Sequence, residues 1–372
     1  MIEFNDLKPL HERLQGEIDD AIRRVLRRGW YVLGPEVEAF EAAFARYHGV
    51  AHAVGVASGT DAIKLALRAA GIGRGDEVIT VSHTAVATVC AVERTGARPV
   101  LVDIDPATYT MDPAAASAAI TPRTRALLPV HLYGHPADMD ALGDLAKRHH
   151  LCVVEDCAQA HGARHGGRLV GTMGQMGAFS FYPTKNLGAC GDGGAVITDD
   201  TLLAERLRRL RNYGQTRRYH HAGRGVNSRL DELQAAILAV KLPHLDEYND
   251  ERRHLAATYY EHLRGVTPPG ERRGATPVRH VYHLYAVRHP CRDGLREALQ
   301  AHGVGTLIHY PVPVHLQPAY ADLGYQAGSL PVTEQWANEV LSLPLYPGLE
   351  ADAVRTVAVT VAECTEEVRL AS

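Results

Sequence analysis

The segment SFYPTKNLGACGDGG, residues 180–194, places one lysine between an aromatic run typical of a strand end and a run rich in glycine. The chain holds 39 basic residues, of which five are lysines, and Lys185 is the one with an apolar, glycine-rich setting. Arginine is effectively always charged, whereas a desolvated lysine can lose its proton and attack a carbonyl carbon. Lys185 is therefore a candidate Schiff-base lysine. The alternative is an ordinary lysine in a surface turn.

Ser58, Gly59 and Thr60, in VASGTDAIKLAL, follow a predicted strand and begin a predicted helix. Free backbone N–H groups at a helix start, with hydroxyls beside them, form an anion site that suits a phosphate. The alternative is simple N-capping by Ser58.

Asp156 ends the apolar strand of VVEDCAQAHGA. A desolvated carboxylate at that point requires a cation or a hydrogen-bond donor, and a protonated ring nitrogen would meet the requirement. The alternative is an aspartate that caps the next helix.

These three groups follow strands of one predicted domain, and open α/β sheets gather ligand groups at the carboxyl ends of their strands. A phosphate cradle, an acid for a ring nitrogen and a nucleophilic lysine are the requirements for binding pyridoxal 5'-phosphate (PLP). The glycine runs GIGRG (71–75) and GACGDGG (188–194) do not fit a dinucleotide fingerprint, because the first closes a helix and the second precedes a strand. The combination predicts PLP as the cofactor.

Short apolar runs alternate with helical patterns through the first two thirds of the chain, which predicts βαβ units and an α/β fold with a mostly parallel sheet. Strands are predicted over 52–56, 77–81, 99–105, 125–132 and 152–157, with two more flanking the lysine; helices are predicted over 58–70, 84–95, 114–120, 139–149, 202–211 and 230–240. From Tyr248 the pattern changes to a long polar helix, the break GVTPPGERRGATP and shorter mixed elements. This change predicts a large domain over 1–245, which includes an N-terminal helical segment, and a small domain over 246–372.

Composition excludes several other classes of protein. A formal charge of -4 gives no basic excess for nucleic acid, and no uninterrupted apolar segment of roughly 18 residues predicts a membrane helix. The six cysteines lack the density of a disulfide scaffold, and the crowded residues His149, His150, Cys152, Cys157 and His161 lack a metal-ligand spacing. We therefore expect a cytoplasmic protein with reduced cysteines and no bound metal.

Motifs along nearly the full chain resemble those of the sugar aminotransferases of the DegT/DnrJ/EryC1/StrS family: GWYVLGPEVEAFE, ASGTDAI, VEDCAQAHGA, SFYPTKNLGACGDGGA, RNYGQ, NSRLDELQAAIL and IHYPVPVHLQPAY. Members of this family are PLP enzymes of fold type I. The resemblance implies a large domain with a mostly parallel seven-stranded sheet, a smaller C-terminal α+β domain, and a homodimer with shared active sites.

The resemblance also implies roles for individual residues at the cofactor. Lys185 would bind it covalently and later move a proton, Asp156 would keep the pyridine nitrogen protonated, and Gln159 would lie beside the 3-oxygen of the ring. The remaining cofactor residues are Ser58, Gly59, Thr60 and Ser180 for the phosphate, His83 stacked on the ring, and Asn227 reaching the phosphate held by the other subunit.

The activity that the resemblance implies is a transamination in two halves. L-Glutamate leaves as 2-oxoglutarate, and a nucleotide-linked keto sugar, with dTDP as the expected nucleotide, leaves as an amino sugar. The forms SFYPTKNLGA and HYPVPVHLQPAY are similar to the branch that acts on 3-keto-6-deoxyhexoses in deoxyamino sugar biosynthesis, whereas members acting at C4 more often show SFHATKN. The basic run 217–229 is the candidate diphosphate site. Candidate substrate residues are Tyr31, Tyr213, Tyr219, Arg224, Arg229, His309, Tyr310 and His315.

Three alternative functions stay open on the sequence alone. They are amination at C4 of a dTDP-4-keto-6-deoxyhexose, PLP-dependent dehydration of a similar sugar, and a regulatory or binding role without turnover. A relative that dehydrates its sugar has histidine in place of the lysine, so Lys185 argues against dehydration. The presence of Lys185, Asp156 and Gln159 together argues against a regulatory role.

Overall fold

A computed structural model describes residues 1–270 and 276–371 of the chain. Its strands, in chain order, are β1 (His52–Val56), β2 (Glu77–Val81), β3 (Arg98–Val102), β4 (Thr124–Leu127), β5 (Cys152–Asp156), β6 (Arg164–His165), β7 (Arg168–Leu169), β8 (Met176–Ser180), β9 (Gly194–Thr198), β10 (Gln215–Arg217), β11 (His220–His221), β12 (Val278–Arg279), β13 (Tyr285–Arg288) and β14 (Val340–Leu343).

The helices are α1 (Lys8–Arg28), α2 (Pro35–His48), α3 (Gly59–Ala69), α4 (Val86–Glu93), α5 (Pro113–Ala118), α6 (Met139–His149), α7 (Thr201–Leu210), α8 (Glu232–Lys241), α9 (Leu245–His262), α10 (Arg292–Ala301), α11 (Pro331–Glu339) and α12 (Ala351–Ala371). Short 3₁₀ helices cover Leu132–Gly134, Leu242–His244, Val314–Leu316 and Pro318–Leu323. Of the described helices, none combines the length and the apolar character needed to cross a lipid bilayer.

Seven strands form one sheet in the order β1-β9-β8-β5-β4-β2-β3. Neighbouring strands from β8 to β3 run parallel, whereas β9 is antiparallel to both of its neighbours, β1 and β8. The predicted α/β class and the mostly parallel seven-stranded sheet are therefore confirmed. Because β1, β5 and β8 point the same way, their carboxyl ends lie at one edge of the sheet, and β9 begins at that edge.

Side chains that alternate along the strands give the sheet two apolar faces, each covered by helices. On one face Val54, Val154 and Val196 pack with α3, α4 and α7. On the other face Phe179 packs with α2 and α8, and Val153 packs with α5 and α6. Since both faces are buried, the loops at the strand ends are where polar groups collect.

Two elements are shorter than predicted because the chain turns at the carboxyl edge of the sheet. The helix predicted over 84–95 begins at Val86, after a turn in which the N–H group of Thr84 donates to the carbonyl of Ser82 at 3.1 Å. The strand predicted over 125–132 ends at Leu127, and the chain then turns at Tyr133, whose φ is 56°. Both turns lie at the edge where β5 ends.

The C-terminal elements form a smaller assembly with its own apolar core. Strands β13 and β14 pair in antiparallel fashion, and residues such as Tyr259, Leu295 and Val357 bring α9, α10 and α12 against them. The predicted boundary at 245/246 falls at the start of α9, and the division into two domains stays a prediction. Within the predicted break over 265–277, residues 271–275 lie outside the described residues.

Glu155, in β5, is a fully buried carboxylate that ties the strand to neighbouring loops. Its oxygens accept hydrogen bonds from the N–H groups of Gly171 (2.7 Å), Met173 (2.7 Å) and Gly174 (2.6 Å), and one lies 3.0 Å from His131 Nε2. Burial opposes ionisation, but His131 and the backbone donors outweigh it, and the pKa of Glu155 lies below its ordinary value. This network fixes the end of β5, where the candidate site begins.

The substitution Glu155→Gln should lower the free energy of unfolding at pH 7 by about 2–4 kcal/mol, since buried donors lose a charged acceptor. Because the pKa of Glu155 is lowered by folding, its stabilisation is present above the unfolded pKa and is lost as the pH falls through the folded pKa. The variant should therefore lack this part of the acid sensitivity. Denaturant unfolding at several pH values measures both effects. The exposed control Glu205→Gln should change stability by less than about 0.5 kcal/mol, and equal losses in the two variants would contradict the assignment.

Candidate active site

The carboxyl ends of β1, β5 and β8 and the start of β9 surround a cavity of about 240 Å³. Val56 of β1 pairs with Gly194 of β9, and Gly194 pairs with Ser180 of β8, so these strand ends lie side by side. The predicted cofactor residues that line the cavity are Ser58, Gly59, Thr60, Asp156, Gln159, Ser180 and Lys185. The fold thus brings together groups that lie far apart in the sequence.

The start of α3 forms one end of the cavity. The Oγ atom of Ser58 accepts a hydrogen bond from the N–H group of Asp61 at 3.2 Å and so caps the helix. The N–H groups of Gly59 and Thr60 are then left for a ligand. A Cβ atom on Gly59 would lie 2.5 Å from the Cβ atom of Ser180, which is why glycine is needed there. The helix start therefore has both a cap and open N–H groups that suit a phosphate.

Asp156, at the end of β5, is 3% exposed. Its Oδ2 atom accepts from Thr88 Oγ1 at 2.8 Å, and its Oδ1 atom accepts from the N–H group of Ala158 at 3.1 Å. Burial raises the pKa of Asp156, while these donors and the charge of Lys185 partly offset the rise. A further cation beside this carboxylate would lower its pKa again, which fits a protonated pyridine nitrogen.

Lys185 lies in the loop between β8 and β9, where its backbone N–H group donates to the carbonyl of Tyr182 at 2.9 Å. Its Nζ atom forms no hydrogen bond or ion pair with the residues that the structure describes. Burial lowers the pKa of Lys185 to about 8, although the nearby Asp156 opposes the change. An amine with this pKa is partly neutral near physiological pH and can attack an aldehyde.

Gln159 holds its amide in one orientation. Its Oε1 atom accepts from the backbone N–H group of Tyr133 at 2.7 Å, so its Nε2 atom is the donor, and the hydroxyl of Tyr310 lies 3.2 Å from it. Tyr133 was not predicted as a site residue, because no sequence motif indicates its left-handed backbone conformation. The hydroxyl of Tyr133 lies 2.8 Å from His83 Nε2 and donates to the carbonyl of His309.

His83 is not among the residues that line the cavity, and its stacking on the cofactor ring stays a prediction. The side chain is 1% exposed, and its ring lies 6.0 Å from the rings of Tyr133 and Trp336, centroid to centroid, in the protein interior. The cavity is lined instead by Ala85. The turn after β2 is the physical reason, because it directs His83 inward and brings Ala85 to the cavity wall.

His315 is also engaged elsewhere than predicted. Its Nδ1 atom lies 2.7 Å from Ser82 Oγ and its Nε2 atom lies 3.1 Å from Glu334, so both ring nitrogens are used within the protein. The ring is buried and links the 3₁₀ helix Val314–Leu316 to the turn after β2. Of the other two predicted residues of this region, Tyr310 reaches the site through the glutamine amide, and His309 lines an adjoining cavity.

The remaining predicted residues do not line the cavity of this chain. Tyr219 is 80% exposed, and Arg229 lies 5.9 Å from the ring of Tyr213. Their roles stay predictions, and the role of Asn227 is predicted at the cofactor of a second subunit. The residues in this group are Tyr31, Tyr213, Tyr219, Arg224, Asn227 and Arg229.

Two threonines complete the site and were missed in the sequence. The Oγ1 atoms of Thr84 and Thr88 lie 2.9 Å apart, and Thr88 in turn donates to the buried aspartate. Their spacing of four in SHTAVATV was the available signal, because residues i and i+4 share one face of a helix.

A ligand that uses all these groups must carry an anion at one end, a basic ring nitrogen at the other and a carbonyl between them. PLP has this arrangement, and enzymes of fold type I bind it at this edge of the sheet. The chain belongs to the DegT/DnrJ/EryC1/StrS aminotransferase family, whose model matches residues 12–362.

Individual relatives match over nearly their whole length. The dTDP-3-amino-3,4,6-trideoxy-alpha-D-glucose transaminase of Streptomyces venezuelae is 56% identical over 99% of this chain and 97% of its own. The erythromycin biosynthesis sensory transduction protein EryC1 of Saccharopolyspora erythraea is 55% identical over 97% of this chain and 98% of its own. The crystal structure of S. venezuelae DesV in complex with a ketimine intermediate is 56% identical, with a TM-score of 0.95 and 98% of each chain covered. The chain is therefore similar to sugar aminotransferases throughout.

This aminotransferase uses PLP as its cofactor, as its family does. The residues present fit that group: open N–H groups at α3 suit its phosphate, and the buried carboxylate of Asp156 suits its ring nitrogen. Lys185, which has no partner of its own among the described residues, suits its aldehyde.

The substitution Gly59→Ala should raise the dissociation constant for PLP by at least about 10-fold, because the added Cβ atom displaces Ser180 or turns the N–H groups away from the phosphate. Titration of the cofactor-free protein by absorbance or fluorescence measures this. Gly143→Ala is the control, since a Cβ atom on this residue of α6 meets nothing within 4 Å. Unchanged affinity in Gly59→Ala would contradict the proposed cradle.

The rate at which the cofactor-free protein captures PLP should rise with pH through about 8, because the neutral amine of Lys185 is the nucleophile. In Asp156→Asn the midpoint should move to lower pH, since the carboxylate that raises the pKa of Lys185 is gone. Stopped-flow absorbance measures the profiles, and Lys185→Ala should show no capture. A midpoint that stays in place in Asp156→Asn would refute this coupling.

Proposed function

We propose that this enzyme transfers the amino group of L-glutamate to a dTDP-linked 3-keto-6-deoxyhexose in deoxyamino sugar biosynthesis, for an antibiotic or a polysaccharide. The observation that carries the substrate is the 56% identity, over 99% of the chain, to a protein named as a transaminase of dTDP-3-amino-3,4,6-trideoxy-alpha-D-glucose. The cavity beside Lys185 supports the same chemistry. The amine of Lys185 can move a proton there, because it forms no hydrogen bond or ion pair with the described residues.

In this proposal each residue at the cofactor has a separate task. Asp156 holds the proton on the ring nitrogen, and Thr88 and the N–H group of Ala158 keep that carboxylate in place. Gln159 donates from Nε2 to the 3-oxygen of the ring, since its Oε1 atom is already used. When bound, PLP withdraws electrons from the reacting carbon and stores the amino group between the two halves.

Lys185 performs the proton transfers. With a pKa lowered to about 8, its amine can accept a proton from the carbon of glutamate and, in the second half, deliver one to the carbon of the sugar. Tyr182 and the loop that carries Lys185 place the amine at the cavity wall, so both transfers take place on the same side.

The nucleotide requires a second subunit in this proposal. The exposed hairpin of β10 and β11 and the chain after it hold the basic run 217–229, whose arginines and Tyr219 would meet the diphosphate held in the other subunit. Asn227, whose backbone pairs with Asn212, would reach the phosphate of that subunit's cofactor. A homodimer in the cytoplasm, with shared active sites, is therefore part of the proposal.

Three alternative functions compete with the proposed transamination. The name of EryC1, a sensory transduction protein, belongs to a relative 55% identical to this chain, and a regulatory protein would bind PLP without turnover. Amination at C4, or dehydration of the sugar, would each give a different product. The geometry at Lys185, Asp156 and Gln159 favours turnover, because the Nζ atom of Lys185 forms no hydrogen bond or ion pair with the described residues.

Addition of L-glutamate to the PLP-loaded enzyme should convert the absorbance of the cofactor to that of its amine form and release 2-oxoglutarate. The Lys185→Ala variant should lose this conversion by at least about 1,000-fold, since it lacks the proton-moving group. Lys147→Ala, a change at an exposed lysine, is the matched control and should keep the rate. No conversion in the unaltered enzyme would mean that the protein is not a transaminase.

Offering dTDP-3-keto- and dTDP-4-keto-6-deoxyglucose side by side to the amine form should yield a product aminated at C3, identified by mass spectrometry and NMR. A product aminated at C4 would overturn the assigned position. A product that has lost oxygen without gaining nitrogen would identify a dehydratase.

A further inference from the structure

A second cavity, of about 560 Å³, adjoins the cofactor cavity at the loop that carries Lys185. Tyr182 lines both cavities, and Thr184 lines the second one. Leucines from several segments form its apolar wall, among them Leu284 and Leu343. A molecule in this space would lie beside the loop that carries Lys185.

Arg252, on α9, provides a positive charge in this cavity. The residue is 5% exposed, and its Nη1 atom donates to the carbonyls of Tyr282 (3.2 Å), His283 (3.4 Å) and Leu345 (3.0 Å). Its Nε atom is buried without a hydrogen-bond partner. Three backbone carbonyls thus hold the guanidinium in one position at the wall of the cavity.

This guanidinium also lacks a counter-ion among the described residues. Glu3 lines the cavity from an exposed position but forms no ion pair with Arg252, and no other carboxylate of the described chain lies within ion-pair distance. Burial lowers the pKa of Arg252 to about 10, against the opposing charge of Glu251, so the side chain remains a cation at neutral pH. A buried cation without an anion is unfavourable, which indicates that a ligand supplies one.

The two histidines at this cavity do not add positive charge. Burial, together with the charge of Lys185, holds the pKa of His283 well below its ordinary value and that of His309 at about 4. Both rings are therefore neutral near pH 7. One fixed cation beside a wall of leucines fits one carboxylate on a short hydrocarbon stem, whereas a diphosphate requires several donors at once.

We propose that Arg252 binds a carboxylate of the amino donor and so selects an anionic amino acid for the first half of the reaction. This inference rests on the proposed function. The carboxylate pairs with the guanidinium, the methylene groups of the donor lie against Leu284 and Leu343, and the amino group lies towards Lys185. Arg252 is then a specificity residue for glutamate and has no role towards the nucleotide sugar.

The test compares the two halves of the reaction in Arg252→Gln. Single-turnover absorbance should show kcat/KM for L-glutamate reduced on the order of 100-fold, since a carboxylate loses a buried charged partner. The reaction of the amine form with the keto sugar should change by less than about threefold. Arg292→Gln is the matched control: it is another buried arginine, and its Nη1 atom donates to the carbonyls of Ala337 and Val340.

Binding of glutarate, a dicarboxylate without an amino group, gives a readout that is independent of turnover. Calorimetry should detect it with the unaltered enzyme and with Arg292→Gln, and affinity should fall on the order of 100-fold in Arg252→Gln. If that variant does not fold, Arg252→Lys carries the same test, because it keeps the charge and loses the planar fork.

Equal losses in both halves of the reaction would assign Arg252 a structural role and overturn the inference. A loss confined to the keto sugar half would assign it to the diphosphate and overturn it as well. These outcomes differ from failure of the proposed function, in which the unaltered enzyme itself does not react with L-glutamate.

Discussion

The burial of Asp156 beside Lys185 is the constraint on which the site depends. A carboxylate at the end of a covered strand is costly unless a positive group meets it, and burial has raised its pKa accordingly. The same burial lowers the pKa of Lys185. The charge of each group partly opposes the effect of burial on the pKa of the other. A basic ring nitrogen beside Asp156 would give the acid a charged partner, which fits the cofactor that this family uses. The wider structure serves this pair. Glu155 fixes the strand that ends in the acid, and Thr88 orients its oxygen.

Charged groups lie at different places in the site, so the two proposed substrates can bind through different cations. The cofactor end contains the acid and the open helix start, the adjoining cavity contains one buried guanidinium, and the surface hairpin carries several exposed arginines. In the proposed reaction, a small dicarboxylate and a large nucleotide sugar both have to present a reacting carbon to Lys185. Separate cations for their anionic groups allow two molecules of different size to use the same amine in turn.

The strands of the main sheet and the helices that cover its two faces could be predicted from the sequence, whereas contacts between distant segments could not. The bounds of β1, β2 and α6 agree with the apolar runs and helical pattern, because burial on the sheet dictates residue type at each position. The positions of His83 and His315 depend on Trp336 and Glu334, which lie far away in the chain. Tyr133 adopts a left-handed conformation that its residue type does not suggest. Arg252 stands in the charged run DERRH of its helix, residues 250–254, and only its packing shows that it is buried.

The antiparallel course of β9 brings together the two ends of the segment that carries Lys185. Because Ser180 pairs with Gly194, the segment 181–193 leaves and re-enters the sheet at adjacent positions and forms a closed loop. Within it, the N–H group of Phe181 donates to the carbonyl of Gly193 at 2.8 Å. Asn186 is held separately, by Asn249 at 2.7 Å. These bonds are made by backbone groups and by Asn186, so a change of the exposed side chain of Tyr182 should leave Lys185 in place and alter only the wall that the two cavities share.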